Sequence, residues 1–265
     1  MFAFFRRNYQ ESTVAILAAG LCVCGVVWLQ IPQLNQLTAA KPLSPAALNQ
    51  DVQTEKTRLN LLRQIPSFGF DNLFANWVFL NFLQYFGDDE VRAKTGYGLS
   101  PEYFEVILNR DPRFLDAYLF LSSSTSLYAG MPERAIALMN RNLKLLSPTV
   151  PHQAYYIWRY KGIDELLFLG DAAAAQQSFT TAAQWASVYP DAESQQVAAI
   201  SQKIAEFLSR NPASKSAQIG AWTMVLSNPV DQATRNLAIS RIKALGGEVT
   251  ITPDGIVQVK PPKED

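Results

Sequence analysis

Outside one apolar stretch this chain has no cysteine. Its two thiols, Cys22 and Cys24, both fall between Val14 and Ile31. Residues two apart on a helix point to different faces, so this pair cannot easily bridge. The remainder therefore has no disulfide and no thiolate metal site. A cysteine-free domain fits an oxidising compartment without requiring one. Histidine is almost as scarce: the single one, His152, sits between Pro151 and Gln153 at an expected helix start. One histidine without cysteine builds no usual zinc site, so no metal and no cofactor are expected. Net charge is also missing, with 23 Lys+Arg against 23 Asp+Glu. That balance gives no basic surplus for nucleic acid and no acidic surplus for cations. Nucleic acid is not expected as a partner. GxSxG, Walker and strand-linked GxGxxG patterns are absent, and no small-molecule substrate is expected. The acidic run Asp88-Asp89-Glu90 reads as a solvated loop. Asp164-Glu165 and Glu102/Glu105 read as surface carboxylates rather than acid–base pairs. No catalytic residue is assigned, and the chain is not expected to be an enzyme.

The sequence does have one long uncharged run, Val14 to Ile31. At 1.5 Å per residue, about 18 to 20 helical residues cross the roughly 30 Å hydrocarbon layer. Trp28 lies near one end, where an indole favours the interface. Gly20 and Gly25 are five apart, so they make no GxxxG pair. The run is read as a transmembrane helix of residues 14–31. One alternative is a cleaved signal peptide, with Arg6-Arg7 as its basic region and Thr38-Ala39-Ala40 loosely resembling a cleavage site, but that site lies far beyond the run. Another is a lipoprotein, against which Leu21 stands where a small residue belongs before Cys22. Arg6 and Arg7 precede the run and only Lys41 follows closely. The positive-inside rule then puts residues 1–13 in the cytoplasm and the domain in the periplasm or a thylakoid lumen. Residues 32–48, rich in Gln, Asn, Pro and Ala, read as a linker.

Helical signals fill residues 49–247. Asp71 precedes a stripe of Leu73, Phe74, Trp77, Val78, Phe82 and Tyr85 at helical spacing. Ser100-Pro101 and Asp111-Pro112 look like capped helix starts, and Pro132-Glu133 opens another helix. Further helices are expected over 153–169, 171–188, 191–209, 214–226 and 230–245. Gly87, Gly130, Gly170 and Gly246 sit where helices should stop. Residues 248–260 read as a β-hairpin around Thr252-Pro253-Asp254-Gly255, and 261–265 as a frayed tail.

A self-match organises these helices. Tyr118, Gly130, Ala135 and Met139 recur as Trp158, Gly170, Ala175 and Phe179, each pair 40 residues apart. An aromatic opens the core of a first helix, a glycine permits the left-handed turn, and an alanine lets the second helix come close. The same residues would also serve any α-hairpin. Trp158-x₃-Gly162, then Gly170-x₄-Ala175-x₃-Phe179-x₂-Ala182, resembles a tetratricopeptide repeat. It departs from that family in having one extra residue between Gly162 and Gly170 and a period of 40 rather than about 34. The copy at Tyr118 has Ser122 and Asn142 in place of the first glycine and last alanine. Asp71 to Leu108, with Trp77 and Gly87 as loose matches, reads as a degenerate third hairpin. The stretch from Phe70 to Asp88, with Asp111-Pro-Arg-Phe114, resembles bacterial membrane-anchored tetratricopeptide-like proteins, and the flavour of the chain is cyanobacterial. The resemblance covers about residues 68 to 190.

The implied fold is all-α: stacked helical hairpins after one N-terminal transmembrane helix, with a small C-terminal β-hairpin. The resemblance also implies peptide binding on the concave face of the first helices, at Asp116, Leu119, Tyr156 and Arg159. The expected function is a membrane-tethered scaffold that binds another protein in the assembly of a membrane complex. The alternatives are a structural subunit of such a complex and an enzyme acting on cell-envelope glycans.

Overall fold

The computed structural model describes residues 19–31, 44–210, 215–227, 232–251 and 257–262. The chain divides into two compact units, Met1–Ala47 and Leu48–Asp265. In the first, residues 19–31 form helix α1, with Leu21, Trp28 and Leu29 exposed. Among the described residues no helix is long and apolar enough to cross a membrane. Residues 14–18 of the expected span, the N-terminal 1–13 and most of the linker lie outside the described residues. The linker is shorter than expected, because α2 (Pro45–Gln64) already begins at Pro45. Proline suits a first helical turn, and the Ser44 hydroxyl accepts from the Ala47 amide at 3.3 Å.

The second unit is built of helix pairs. Helix α3 (Asp71–Phe86) packs on α5 (Ser100–Arg110), with short α4 (Asp89–Thr95) between them. Phe82 carries this contact: it is fully buried and meets Phe104 at 4.6 Å and Tyr103 at 5.7 Å between ring centroids. It also meets Phe120 on α6 (Leu115–Leu121) at 6.1 Å. The expected α3 stripe is corrected. Ala75, Val78 and Phe82 are buried, whereas Leu73 and Trp77 face outward. Apolar residues occupy nearly the whole circumference of this helix, so spacing alone does not select the inner face.

Three local readings change. Leu99, not Ser100, is the residue flanking α5, and the buried Ser100 hydroxyl makes no cap bond. Pro112 does not open a helix: the Asp111 carboxylate accepts from the Arg113 amide at 2.9 Å in a turn, and α6 starts at Leu115. The acidic run is a helix start rather than a loop. Asp88 caps α4 by accepting from Val91, and Asp89 and Glu90 fill the first turn, where carboxylates complement the helix dipole.

Two hairpins follow with the 40-residue offset. In one, α6 continues into a π-helical segment, Ser122–Tyr128, and turns at Gly130 into α7 (Pro132–Leu143). In the other, α8 (Tyr155–Asp164) continues into a π-helical segment, Glu165–Leu169, and turns at Gly170 into α9 (Ala172–Ala186). Both glycines have positive φ, +64° and +69°, which an L side chain adopts only at a cost. Tyr118 is fully buried and its hydroxyl donates to the Pro112 carbonyl at 2.7 Å. Trp158 is half-buried, packed edge-on to Trp185. Gly162 earns its place by closeness, since a Cβ there would lie 3.0 Å from the Phe179 ring.

Helix α10 (Ala192–Arg210) packs along α9, its start capped by Asp191 accepting from Ser194 at 2.8 Å. Helices α11 (Lys215–Ser227) and α12 (Gln232–Ala244) instead lie over the two glycine turns. Buried Trp222 meets Phe168 at 5.6 Å, and the buried Thr234 hydroxyl donates to the Ala129 carbonyl at 3.4 Å. A Cβ on Gly170 would strike Gln218 of α11 at 2.4 Å. Strands β1 (Glu248–Ile251) and β2 (Val257–Lys260) pair antiparallel, Val249 opposite Val259. The expected turn between them lies outside the described residues.

Candidate functional site

The four residues expected to line a groove sit on neighbouring first helices. Asp116 and Leu119 on α6 are exposed. Tyr156 and Arg159 on α8 are only half-exposed, because α10 holds both. The Tyr156 hydroxyl donates to Glu193 at 3.1 Å, and the Arg159 guanidinium donates to the Ser201 hydroxyl at 2.8 Å. Their neighbour Tyr155 is buried and bonds Ser194 at 3.0 Å. The crowd of tyrosines on α8 is thus divided, one ring inside and two at the rim. Tyr156 and Tyr160 stack at 6.2 Å. Burial pushes the Tyr160 phenol up, the Asp116 charge adds to this, and Arg159 opposes it. Both charges act on the Tyr160 hydroxyl, so Asp116 of α6 and Arg159 of α8 lie in its neighbourhood. One face of α6 and α8 therefore carries Asp116, Leu119, Tyr156, Arg159 and Tyr160 together. Exposed Ile163 extends it at helical spacing. The sequence pattern named the first four; Tyr160 and Ile163 follow from the same spacing one turn on. The opposite layer differs, since α9 turns Gln177 and Gln184 to solvent.

Beneath this face lie two buried polar clusters. Asp164 and Glu165 were expected on the surface, and both are buried. Asp164 accepts from Ser122 at 2.8 Å and from Ser126 at 2.6 Å, one turn apart on the preceding first helix. Burial raises its pKa to about 7, the two serines pull it down, and the Glu165 charge pushes it further up. Glu165 turns the other way. It accepts from Lys161 at 2.5 Å and from the Ser178 hydroxyl at 2.6 Å, and Lys161 donates to Ser178 at 2.9 Å. The adjacent carboxylates thus serve different partners, the π-helical segment after α6 for one and Lys161 with Ser178 of α9 for the other. They link helices and do not converge on a shared reactant. The run Ser122-Ser123-Ser124-Thr125-Ser126 was the signal for the first link. Five small hydroxylic residues inside an otherwise apolar helix imply close approach to a polar neighbour.

Glu102 and Glu105 are also structural. Arg63 of α2 and Arg134 of α7 clamp both: Arg63 reaches Glu105 at 2.7 Å and also pairs with Glu102, and Arg134 reaches each glutamate at 2.8 Å. Burial pushes the Glu102 carboxyl up, but the bonds from Arg134 and Arg63 outweigh it and hold it below the ordinary glutamate range. His152 is exposed, precedes α8, and lies edge-on to Tyr189 at 4.9 Å. No group of three or more His, Cys, Asp or Glu that could hold a metal occurs among the described residues. No protein-family model, curated protein or solved structure matches the chain.

Proposed function

We propose that this chain is a membrane-tethered, tetratricopeptide-like scaffold that holds a partner polypeptide along the first-helix face of α6 and α8. The observation that carries this reading is that face itself. It joins exposed Leu119 and Ile163 to Asp116, Arg159 and two stacked tyrosines. Aromatic and arginine side chains beside apolar ones are the composition of interface hot spots. Its supports are tied in place: α10 bonds Tyr156 and Arg159, and buried polar links join the end of α8 to the π-helical segment after α6 and, through Glu165, to α9. A preorganised face loses less entropy on binding. The offset recurrence of π-helical segment and left-handed glycine supports the repeat reading. The tether rests on the uncharged run 14–31, and Arg6-Arg7 supports a domain on the far side of the membrane from the N-terminus.

The test is comparative. The full chain, isolated with its bound proteins from source membranes, is set beside Leu119→Asp/Ile163→Asp and beside Gln177→Ala. A buried apolar contact replaced by a charge should weaken capture of the same polypeptide at least tenfold, a loss of about 1.4 kcal/mol or more. Gln177→Ala should leave it unchanged. Equal capture by all three would remove the groove from the account.

A further inference from the structure

A second surface is not absorbed by that reading. The end of α2, the turn after it and the outer side of α3 expose Leu61, Ile65, Phe68, Phe70, Leu73 and Leu80. Phe68 is 84% exposed, Leu73 67% and Phe70 66%. Arg58 lies 5.8 Å from the Trp77 ring centroid, which aligns the C-terminal part of α2 with the Leu73–Trp77 row. Large apolar side chains exposed together in this number mark an interaction site.

Four features define the occupant. First, Phe68 has φ +52° and is followed by Gly69 at +91°. A bulky side chain in the left-handed region and almost wholly in solvent satisfies neither backbone preference nor packing, which is a mark of function. Second, the surface is a projecting turn tip with an aromatic on each side of a glycine, not a groove with polar anchors. Third, Asp71 is the only charged residue between Gln64 and Gly87, and Arg110 pairs with it at 3.3 Å. The tip itself carries no charge beyond the paired Asp71, and Arg58 lies at its edge beside Trp77, the apolar-plus-basic composition of an interfacial segment. Fourth, the turn's backbone is tied. The Phe70 amide donates to the Ser67 carbonyl at 2.9 Å and the Phe74 amide to the Phe70 carbonyl at 3.0 Å, while Arg110 donates to the Ile65 carbonyl. These bonds hold the two flanks of the turn, so Phe68 projects from a fixed base.

We infer that the α2–α3 turn is a bilayer-docking tip, with Phe68 and Phe70 inserted into the headgroup–acyl boundary and Trp77 at its rim. The inference rests on the membrane-tether reading, since α2 begins a short span of chain after the apolar run ends at Ile31. It deepens that reading by giving the domain a second lipid contact. Such a contact would fix its orientation above the bilayer.

The experiment uses the full chain with Cys22→Ser and Cys24→Ser, reconstituted in phosphatidylcholine–phosphatidylglycerol vesicles. Single spin labels are placed at Phe68→Cys, Leu73→Cys, Trp28→Cys and Gln177→Cys, and circular dichroism confirms the helical content of each. Collision with oxygen, which partitions into lipid, is compared with collision with a water-soluble nickel chelate. The oxygen-to-nickel ratio at positions 68 and 73 should exceed that at 177 several-fold. Labels at 68 and 73 open to nickel overturn the docking tip, and the tether survives if position 28 stays shielded. Shielded labels at 68 and 73 with an open label at 28 uphold the tip and remove the tether. Labels at 68 and 73 shielded from both reagents mean that protein covers the turn, which also overturns the inference.

Discussion

Replacing Lys161 by methionine is expected to destabilise the fold by about 3–5 kcal/mol, the cost of leaving one member of a buried ion pair alone. Lys161 and Glu165 are both buried, 2.5 Å apart on successive turns, and Ser178 of α9 closes the cluster by bonding to each. The ammonium also lies 5.4 Å from the Trp158 ring centroid, so its charge is held on two sides. Methionine matches the lysine stem but leaves the Glu165 carboxylate with only the Ser178 hydroxyl. The double variant Lys161→Met/Glu165→Leu removes both charges and should recover most of the loss, because apolar replacement of a whole buried pair is often near neutral. Urea unfolding of parent, single and double variants measures this. A single-variant loss below about 1 kcal/mol, within the usual range of a surface pair, would show that the cluster is solvated.

Asp164 should make the fold less stable as pH rises. Its folded pKa is about 7, raised chiefly by burial, against about 3.9 for an unfolded aspartate. Between those values the folded chain holds a proton that the unfolded chain has released. Stability is therefore fullest below the unfolded pKa, falls through the window by up to about 1.4 kcal/mol per pH unit, and levels off above the folded value. In the protonated form one carboxyl oxygen can donate to a serine while the other accepts, and asparagine reproduces that pattern. Asp164→Asn should flatten the profile between about pH 4 and 7. At pH 8 it should be more stable than the parent by up to about 4 kcal/mol. Comparing the two profiles isolates this residue from other titrating carboxylates. Parallel profiles would mean that Asp164 ionises freely in the fold.

Much of the architecture was written in local signals. Gly130 and Gly170 mark the turns because only glycine takes their left-handed φ without penalty. Asp171 and Asp191 cap α9 and α10 where the sequence starts those helices, bonding Ala174 and Ser194. Gly162 lies against the Phe179 ring, a contact that the spacing of the two residues did not specify. What local signals miss is decided by neighbours distant in sequence. The burial of Asp164 depends on Ser122 and Ser126, and that of Glu165 on Ser178. A carboxylate on a helix gives no sign of its depth until the helices beside it are known. The outward turn of Leu73 and Trp77 has the same origin, since α3 is apolar on too many sides for its pattern to choose. Nor did periodicity show that α11 and α12 lie across the ends of the hairpins. That packing depends on the match of Trp222 to Phe168 and of Gln218 to the bare Gly170. In the candidate groove, Asp116 and Leu119 were legible because exposure there follows from helical phase alone. Tyr156 and Arg159 were half legible, because their phase does not show that α10 would bond to both.

The proposed function requires a partner polypeptide along the first helices. Site-specific photo-crosslinking of the full chain in native membranes tests it most directly, with the reactive side chain at position 119, at 163, or at 177 on the opposite layer. The same discrete protein adduct is expected from 119 and 163, and none from 177. The same adduct pattern at all three positions, or no protein adduct at 119 and 163, would contradict it.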